Sequence, residues 1–159
     1  MDFRAALQAA KTFTTLHHRM EFVREIDGIK FINDSKATNA DSTQKALRAL
    51  ADNDIYLIAG GRRKTAGLLA LKDDLRAVKC VFLIGDATES FAGELNRLKK
   101  KFVKCGTMQN AVKAAFEEAK KDKSEKNKIV LLSPVCSSWD QYSCFEERGE
   151  DFCKIVNEL

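Results

Sequence analysis

Three short runs of uninterrupted apolar residues limit the fold most: Ile55-Tyr56-Leu57-Ile58-Ala59, Val81-Phe82-Leu83-Ile84 and Ile129-Val130-Leu131-Leu132. A strand with one wet face alternates polar and apolar residues, whereas a strand covered on both faces need not. These runs are bounded by polar segments and are too short for buried helices. They predict parallel strands sandwiched between helices. Phe102-Val103 is a weaker strand candidate.

Helical patterns separate the runs. Thr43, Leu47, Leu50 and Ala51 form one stripe. Asp86 and Glu89 have capping-box spacing, followed by Ala87, Phe91, Leu95 and Leu98 on one side. Met108, Ala111, Val112, Ala115, Phe116 and Ala119 keep the i, i+3, i+4 rhythm, and Phe152, Ile155, Val156 and Leu159 close the chain on a last helix. Two strand-like runs precede them, Met20 to Ile26 and Ile29 to Asn33, with Asp27-Gly28 between as a two-residue hairpin turn. Strands alternating with helices predict a layered α/β domain whose antiparallel start makes the sheet mixed. A further helix is expected over Arg4 to Thr12.

At 159 residues the chain suits one domain with one substantial core. No apolar run approaches the roughly 18 residues of a membrane span, and no apolar segment after Met1 resembles a signal peptide. The expected location is cytoplasmic. Cys80, Cys105, Cys136, Cys144 and Cys153 form no C-x-x-C pair, and His17-His18 is the only histidine cluster, so no metal site is expected. The net charge of +4 gathers in Lys99-Lys100-Lys101 and in Lys120 to Lys128. Without interleaved aromatics these read as solvated faces, so neither nucleic acid nor membrane is an expected partner.

Ligands of open α/β sheets bind beyond the carboxyl ends of the strands. Here those ends run into Asn33-Asp34-Ser35-Lys36-Ala37-Thr38-Asn39, Gly60-Gly61-Arg62-Arg63-Lys64-Thr65, Gly85-Asp86, and Ser133 to Gln141. Brought to one edge, they would make a polar pocket with cationic walls, suited to a small dicarboxylate or a phosphate. Each also has a plainer reading. Asn33 to Asn39 contains good helix N-caps, and Ser133 to Gln141 could be a simple loop with Trp139 anchored in the core. The Gly60-Gly61 segment is not a Walker loop, because Arg62 stands where the lysine must follow the second glycine. Tight ATP binding by this chain alone is therefore not expected.

One family carries these motifs in this order. His18-Arg19-Met20-Glu21, the Asp34 to Asn39 segment D-S-K-A-T-N, Leu132-Ser133-Pro134 through Ser138, Asp140-Gln141-Tyr142, Phe145-Glu146 and Arg148-Gly149 together resemble the third, amino-acid-binding domain of the Mur ligase family, and within it the members that add D-glutamate. The resemblance implies a three-layer, Rossmann-like α/β domain: a mixed, mostly parallel sheet, an antiparallel N-terminal hairpin, and helices on both faces. It makes residues 1–16 the end of a linker from a central domain and residues 17–159 the C-terminal domain. The ligases of the family use ATP and magnesium, held largely by the central domain. They form an acyl phosphate on a UDP-sugar peptide, which the amine of D-glutamate attacks. Carried over by position, His18, Arg19, Asp34 and Lys36 would face the nucleotide. Thr38, Lys64, Ser138, the Trp139 main chain and Phe145 would hold D-glutamate. Two positions depart from the family pattern: Arg62-Arg63 precede Lys64, which makes either arginine an alternative carrier of its role, and Trp139 replaces a smaller aliphatic residue. The resemblance further implies partners in the central and N-terminal domains and no ligase activity for the domain by itself. Two alternatives remain, a free-standing non-catalytic module of this fold and the equivalent domain of a ligase for another amino acid.

Overall fold

The computed structural model describes residues 16–64 and 66–159. The helix expected over Arg4 to Thr12, and nearly all of the linker expected over 1–16, lie outside the described residues. The chain runs β1 (Glu21–Ile26), β2 (Ile29–Asn33), α1 (Ala40–Ala49), β3 (Asp54–Gly60), β4 (Val78–Ile84), α2 (Thr88–Arg97), β5 (Phe102–Gly106), α3 (Met108–Lys121), β6 (Lys128–Val135) and α4 (Phe145–Asn157). Two 3-10 turns, Leu68–Leu71 and Asp74–Ala77, connect β3 to β4.

The first hairpin forms as its turn residues dictate. Asp27 and Gly28 have φ of 52° and 75°, the positive values of a primed two-residue turn whose twist matches the flanking strands. β1 begins at Glu21 rather than Met20, because Met20 has φ of 46° and cannot extend a strand. The six strands of the described residues join one sheet in the order β1-β2-β6-β3-β4-β5. Only β1 pairs antiparallel; the other contacts are parallel. Central β3 is buried at every residue, as its unbroken apolar run requires.

Side chains of successive strand residues point to opposite faces, and each face has its own helices. Ile55, Leu57, Val81, Leu83, Ile129 and Leu131 pack with Leu47 of α1, Leu68 and Leu75 of the 3-10 turns, and Phe91 and Leu95 of α2. Tyr56, Ile58, Phe82, Val130 and Leu132 pack with Val112 and Phe116 of α3 and Phe152 and Val156 of α4. The result is the expected three-layer α/β sandwich. One local expectation fails: Asp86 and Glu89 do not form a capping box. Ala87 occupies the cap without a side-chain bond. The Asp86 N–H donates to Asp140 Oδ2 at 3.0 Å, and Glu89 pairs with Lys104 at 2.7 Å. A tertiary contact has displaced the local one.

The strand order creates a switch point. β6 lies between β2 and β3, yet it leads to α4 on one face, while β2 and β3 lead to α1 and the 3-10 turns on the other. Connections that diverge from neighbouring strand ends leave a crevice between them. The candidate segments all start at that edge.

Candidate functional site

Backbone bonds tie the four strand ends together. Asp34 N–H donates to Leu132 O at 2.8 Å, and Val135 N–H donates to Ala37 O at 3.0 Å. These join the Asn33 to Asn39 segment to β6. Arg62 N–H donates to Ser137 O at 2.9 Å, and Ser137 Oγ donates back to Arg62 O at 3.1 Å. Ala87 N–H donates to Gly61 O at 2.9 Å. Gly60 and Gly61 have φ of 134° and 127°. A Cβ on Gly60 would overlap the Ile84 carbonyl, and one on Gly61 the Ser137 carbonyl. Only glycine lets the strand ends approach this closely. Val135 also sits in the left-handed region, at φ of 66°. That is costly for a β-branched residue, and its bond to Ala37 and its pairing with Gly60 hold it there. The Asn39 side chain caps α1 by accepting from Ser42 N–H at 2.9 Å, so the capping reading of this segment is correct for its last residue.

Three cations follow Gly61, and the structure separates them. Arg62 Nη2 lies 3.6 Å from Asp86 Oδ2. Arg63 Nη1 lies 2.6 Å from Glu94 Oε1, and Glu94 is buried and also accepts from Leu69 N–H at 2.9 Å. Arg63 is thereby anchored to α2, while Arg62 faces a carboxylate on the approach to it across an exposed contact. Lys64 makes no ion pair among the described residues; its Nζ lies 5.1 Å from the centre of the Trp139 ring. Trp139 is 61% exposed, so it is not the core anchor of the plainer reading. Its neighbour Ser138 is 2% exposed, and among the described residues the Ser138 hydroxyl has no hydrogen-bond partner. Among the described residues one other buried side-chain atom shares that state, Asp54 Oδ2 at the opposite end of β3. Thr38, half-buried, follows the Ala37 carbonyl that receives Val135.

The residues expected at the nucleotide fall into two adjoining clefts. His18 and Lys36 line a cleft of about 690 Å³ with Leu16, Glu21, Phe145 and Cys153. Lys36 Nζ lies 5.9 Å from the Phe145 ring centre, and the His18 ring meets Phe145 edge-on at 6.3 Å. Phe145, expected with the amino-acid group, thus lies against the nucleotide group. Arg19 and Asp34 line a smaller cleft of about 160 Å³ against α1. His18 is buried, and its Nδ1 accepts from the Asn33 amide at 2.9 Å, which leaves the proton on Nε2. Asp34 is also buried and accepts from Met20 N–H at 3.2 Å and from Ser133 Oγ at 2.9 Å. Burial raises its carboxyl above the ordinary value, against the lowering effect of Ser133, Met20 and Arg19. The Lys36 N–H donates to His18 O at 3.0 Å, which ties together two segments that line the larger cleft.

Arg148 is a structural key that pattern reading passed over as part of a motif. It is 1% exposed, on the first turns of α4. Its Nε donates to Ser35 Oγ at 3.0 Å, Nη2 to Ser35 O at 2.8 Å and Nη1 to Cys136 O at 3.0 Å. Ser35 Oγ in turn donates to Phe145 O at 2.7 Å. One guanidinium therefore clamps the β2 end to the β6 end. Burial pulls it down to about 10, while burial pushes the neighbouring Cys136 thiol up to about 12. A thiol so disfavoured as thiolate is a poor nucleophile.

Fold and edge together define an α/β domain whose strand ends carry Thr38, Lys64 and Ser138 at the carboxyl edge of the sheet, beside its switch point. Residues 18–136 match the family described as "Mur ligase, glutamate ligase domain", and the chain belongs to that family. It is 41% identical over 159 residues to the UDP-N-acetylmuramoylalanine–D-glutamate ligase of Wolbachia sp. subsp. Brugia malayi, covering 100% of this chain and 31% of that protein. The same-named ligase of Paramagnetospirillum magneticum is 46% identical over 149 residues, covering 94% of this chain and 32% of that one. The chain thus spans about a third of the length of the curated relatives it matches. The solved UDP-N-acetylmuramate-alanine ligase MurC of Thermotoga maritima shares the fold, with a TM-score of 0.59 at 16% identity over 99% of this chain and 34% of that one. No helix among the described residues is long and apolar enough to cross a membrane.

Proposed function

We propose that this chain is the amino-acid-binding domain of a cytoplasmic ATP-dependent ligase that joins D-glutamate to UDP-N-acetylmuramoyl-L-alanine in peptidoglycan precursor synthesis. Two observations on neighbouring segments carry the reading: among the described residues the buried Ser138 hydroxyl has no hydrogen-bond partner and the Lys64 ammonium has no carboxylate partner. A buried hydroxyl without a partner costs free energy, and an incoming carboxylate would satisfy it. Lys64 supplies the opposing charge, Thr38 a second hydroxyl, and the Trp139 N–H a further donor. Arg62 and Arg63 are already engaged by Asp86 and Glu94, which favours Lys64 over either as the cation at the amino acid. The names of the relatives supply the choice of D-glutamate.

The second cleft fits a nucleotide's terminal phosphates. Lys36 is exposed at its rim beside the Nε2–H of His18, and Arg19 projects from the adjoining segment. ATP would supply the phosphoryl group that activates the acceptor carboxylate, with magnesium. The chain's own residues hold the amine donor next to that site, and orientation of this kind accelerates a bimolecular step. Remaining partners are the central and N-terminal domains of the ligase, and activity is not expected from the domain alone.

The test is a titration of the chain with D-glutamate, L-glutamate, L-lysine and diaminopimelate, followed through backbone amide chemical shifts. D-Glutamate should move the resonances of Thr38, Lys64 and Ser138, and Lys64→Met should weaken that response about ten- to a hundredfold, the worth of a charge-assisted hydrogen bond. No movement at these amides with D-glutamate, or an equal response to L-lysine, refutes the reading.

A further inference from the structure

We propose that the Trp139 indole is a positioning residue for Lys64: its face holds the ammonium at the rim of the crevice and presents it to an incoming carboxylate, the ring contact persisting when that carboxylate binds. The inference rests on the acidic-amino-acid reading for the identity of that carboxylate, but the ring contact itself does not. Four observations carry it. The loop bearing Lys64 is fixed by the two-way Arg62–Ser137 bonds, so its lysine and the Ser138–Trp139 turn keep one relative placement. Arg62 and Arg63 have carboxylate partners, whereas among the described residues Lys64 meets the ring, 5.1 Å from Nζ, and no carboxylate. Trp139 is 61% exposed although the residue before it is 2% exposed. A large aromatic held out at a rim is therefore not filling the core. The turn itself is pinned from below, since Tyr142 N–H donates to Ser138 O at 2.9 Å and Asp86 N–H to Asp140 Oδ2 at 3.0 Å.

Relative strengths divide the roles. A cation–π contact at an exposed site favours the ring-held position over the lysine's other rotamers about two- to fivefold. A charge-assisted hydrogen bond from the ammonium in that position to a carboxylate adds about ten- to a hundredfold. The ring therefore narrows the lysine's range without competing with substrate. A flexible lysine is confined near its working place before ligand arrives, which lowers the ordering cost of binding. An aliphatic side chain at position 139 could wall the crevice but could not hold the charge.

The chain contains a single tryptophan, so Trp139 emission reports on Lys64 directly. Without ligand, ring-current shielding should move the Lys64 ε-methylene protons upfield, and Trp139→Leu should abolish that displacement. Its absence in the native chain overturns the inference. With D-glutamate, Trp139 emission should change saturably, in step with the Ser138 amide, and Lys64→Met should remove the change. Trp139→Leu should weaken D-glutamate binding about two- to fivefold, and Trp139→Phe, which keeps a ring, should recover most of it. Movement of the Ser138 amide with unaltered Trp139 emission, or equal affinity in Trp139→Leu, overturns the inference and leaves the site reading standing. No movement of the Ser138 amide overturns the site reading itself.

Discussion

Replacing Arg148 by methionine tests whether a buried guanidinium holds the crevice together. Methionine keeps most of the length and the apolar stem, so the change removes charge and donors rather than bulk. Three donated bonds disappear, to Ser35 Oγ, Ser35 O and Cys136 O. At about 1.5–3 kcal/mol each for bonds from a charged donor, these contribute roughly 5–9 kcal/mol. Against this stands the burial of a cation that has no carboxylate at ion-pair distance among the described residues. Burial holds the group at about 10, well below its ordinary value, which at about 1.4 kcal/mol per pH unit is a penalty of roughly 3 kcal/mol. The net loss is then roughly 2–6 kcal/mol, a large share of the 5–15 kcal/mol typical of a domain. In a domain of this size each kcal/mol moves the midpoint about 2–4 °C, so a loss near 3 kcal/mol lowers Tm by roughly 6–12 °C. Urea and thermal melts of the chain measure it. Arg148→Lys should rescue little, because a single ammonium cannot span three acceptors on two strands. A methionine variant as stable as the native chain would refute the clamp and place Arg148 among buried ions that a well-packed apolar side chain replaces without loss.

Gly60→Ala should destabilise by roughly 3 kcal/mol or more, because its Cβ would meet the Ile84 carbonyl, a backbone atom that cannot turn aside; a chemical melt within 1 kcal/mol of native would contradict this. Asn39→Ala should cost about 1 kcal/mol through the lost cap of α1, read as the shift in urea midpoint. Asp34→Asn should alter the pH dependence of stability. Burial raises the Asp34 carboxyl above its ordinary 3.8, so the folded state binds the proton more tightly than the unfolded one. That contribution favours folding below 3.8 and fades as pH rises through the raised folded value. The variant lacks it, so its stability relative to the native chain should rise as pH climbs from about 4 toward neutrality. A pH-independent difference between the two would exclude the effect.

How much of this was legible depends on the range of the interaction. The strands were legible because burial on both faces writes itself as continuous apolar runs, as at Ile55 to Ala59. The hairpin was legible because Asp27-Gly28 states its own φ values. The crevice segments could be named because strand ends carry the ligands in such sheets. Arg148 was not readable as a clamp, since its acceptor Ser35 lies 113 residues away. By pattern an arginine on an amphipathic helix belongs in solvent. The false capping box at Asp86 has the same origin, because the Asp140 carboxylate that takes its N–H is 54 residues distant. Nor could spacing rank Arg62, Arg63 and Lys64 as partners of a ligand, because the carboxylates that engage the first two come from α2 and its approach.

Those misses concern one physical matter, the neutralisation of charge across the sheet edge. Adjacent cations in a sequence are chemically equivalent until tertiary contacts pair some and leave another. Here the pairing works by subtraction: Asp86 takes Arg62, Glu94 takes Arg63, and among the described residues Lys64 keeps the weak hold of an aromatic face and no carboxylate. Next to Trp139 in the chain is the Ser138 hydroxyl, buried without a partner among the described residues. A folded domain tolerates an unsatisfied donor and an unneutralised cation together when a ligand completes both. Removing either therefore predicts opposite signs in two assays: Ser138→Ala should leave the free domain as stable or more so, while weakening its hold on D-glutamate. A variant that lost stability and kept affinity would show that the hydroxyl serves the fold, and the crevice would lose its strongest claim to a ligand.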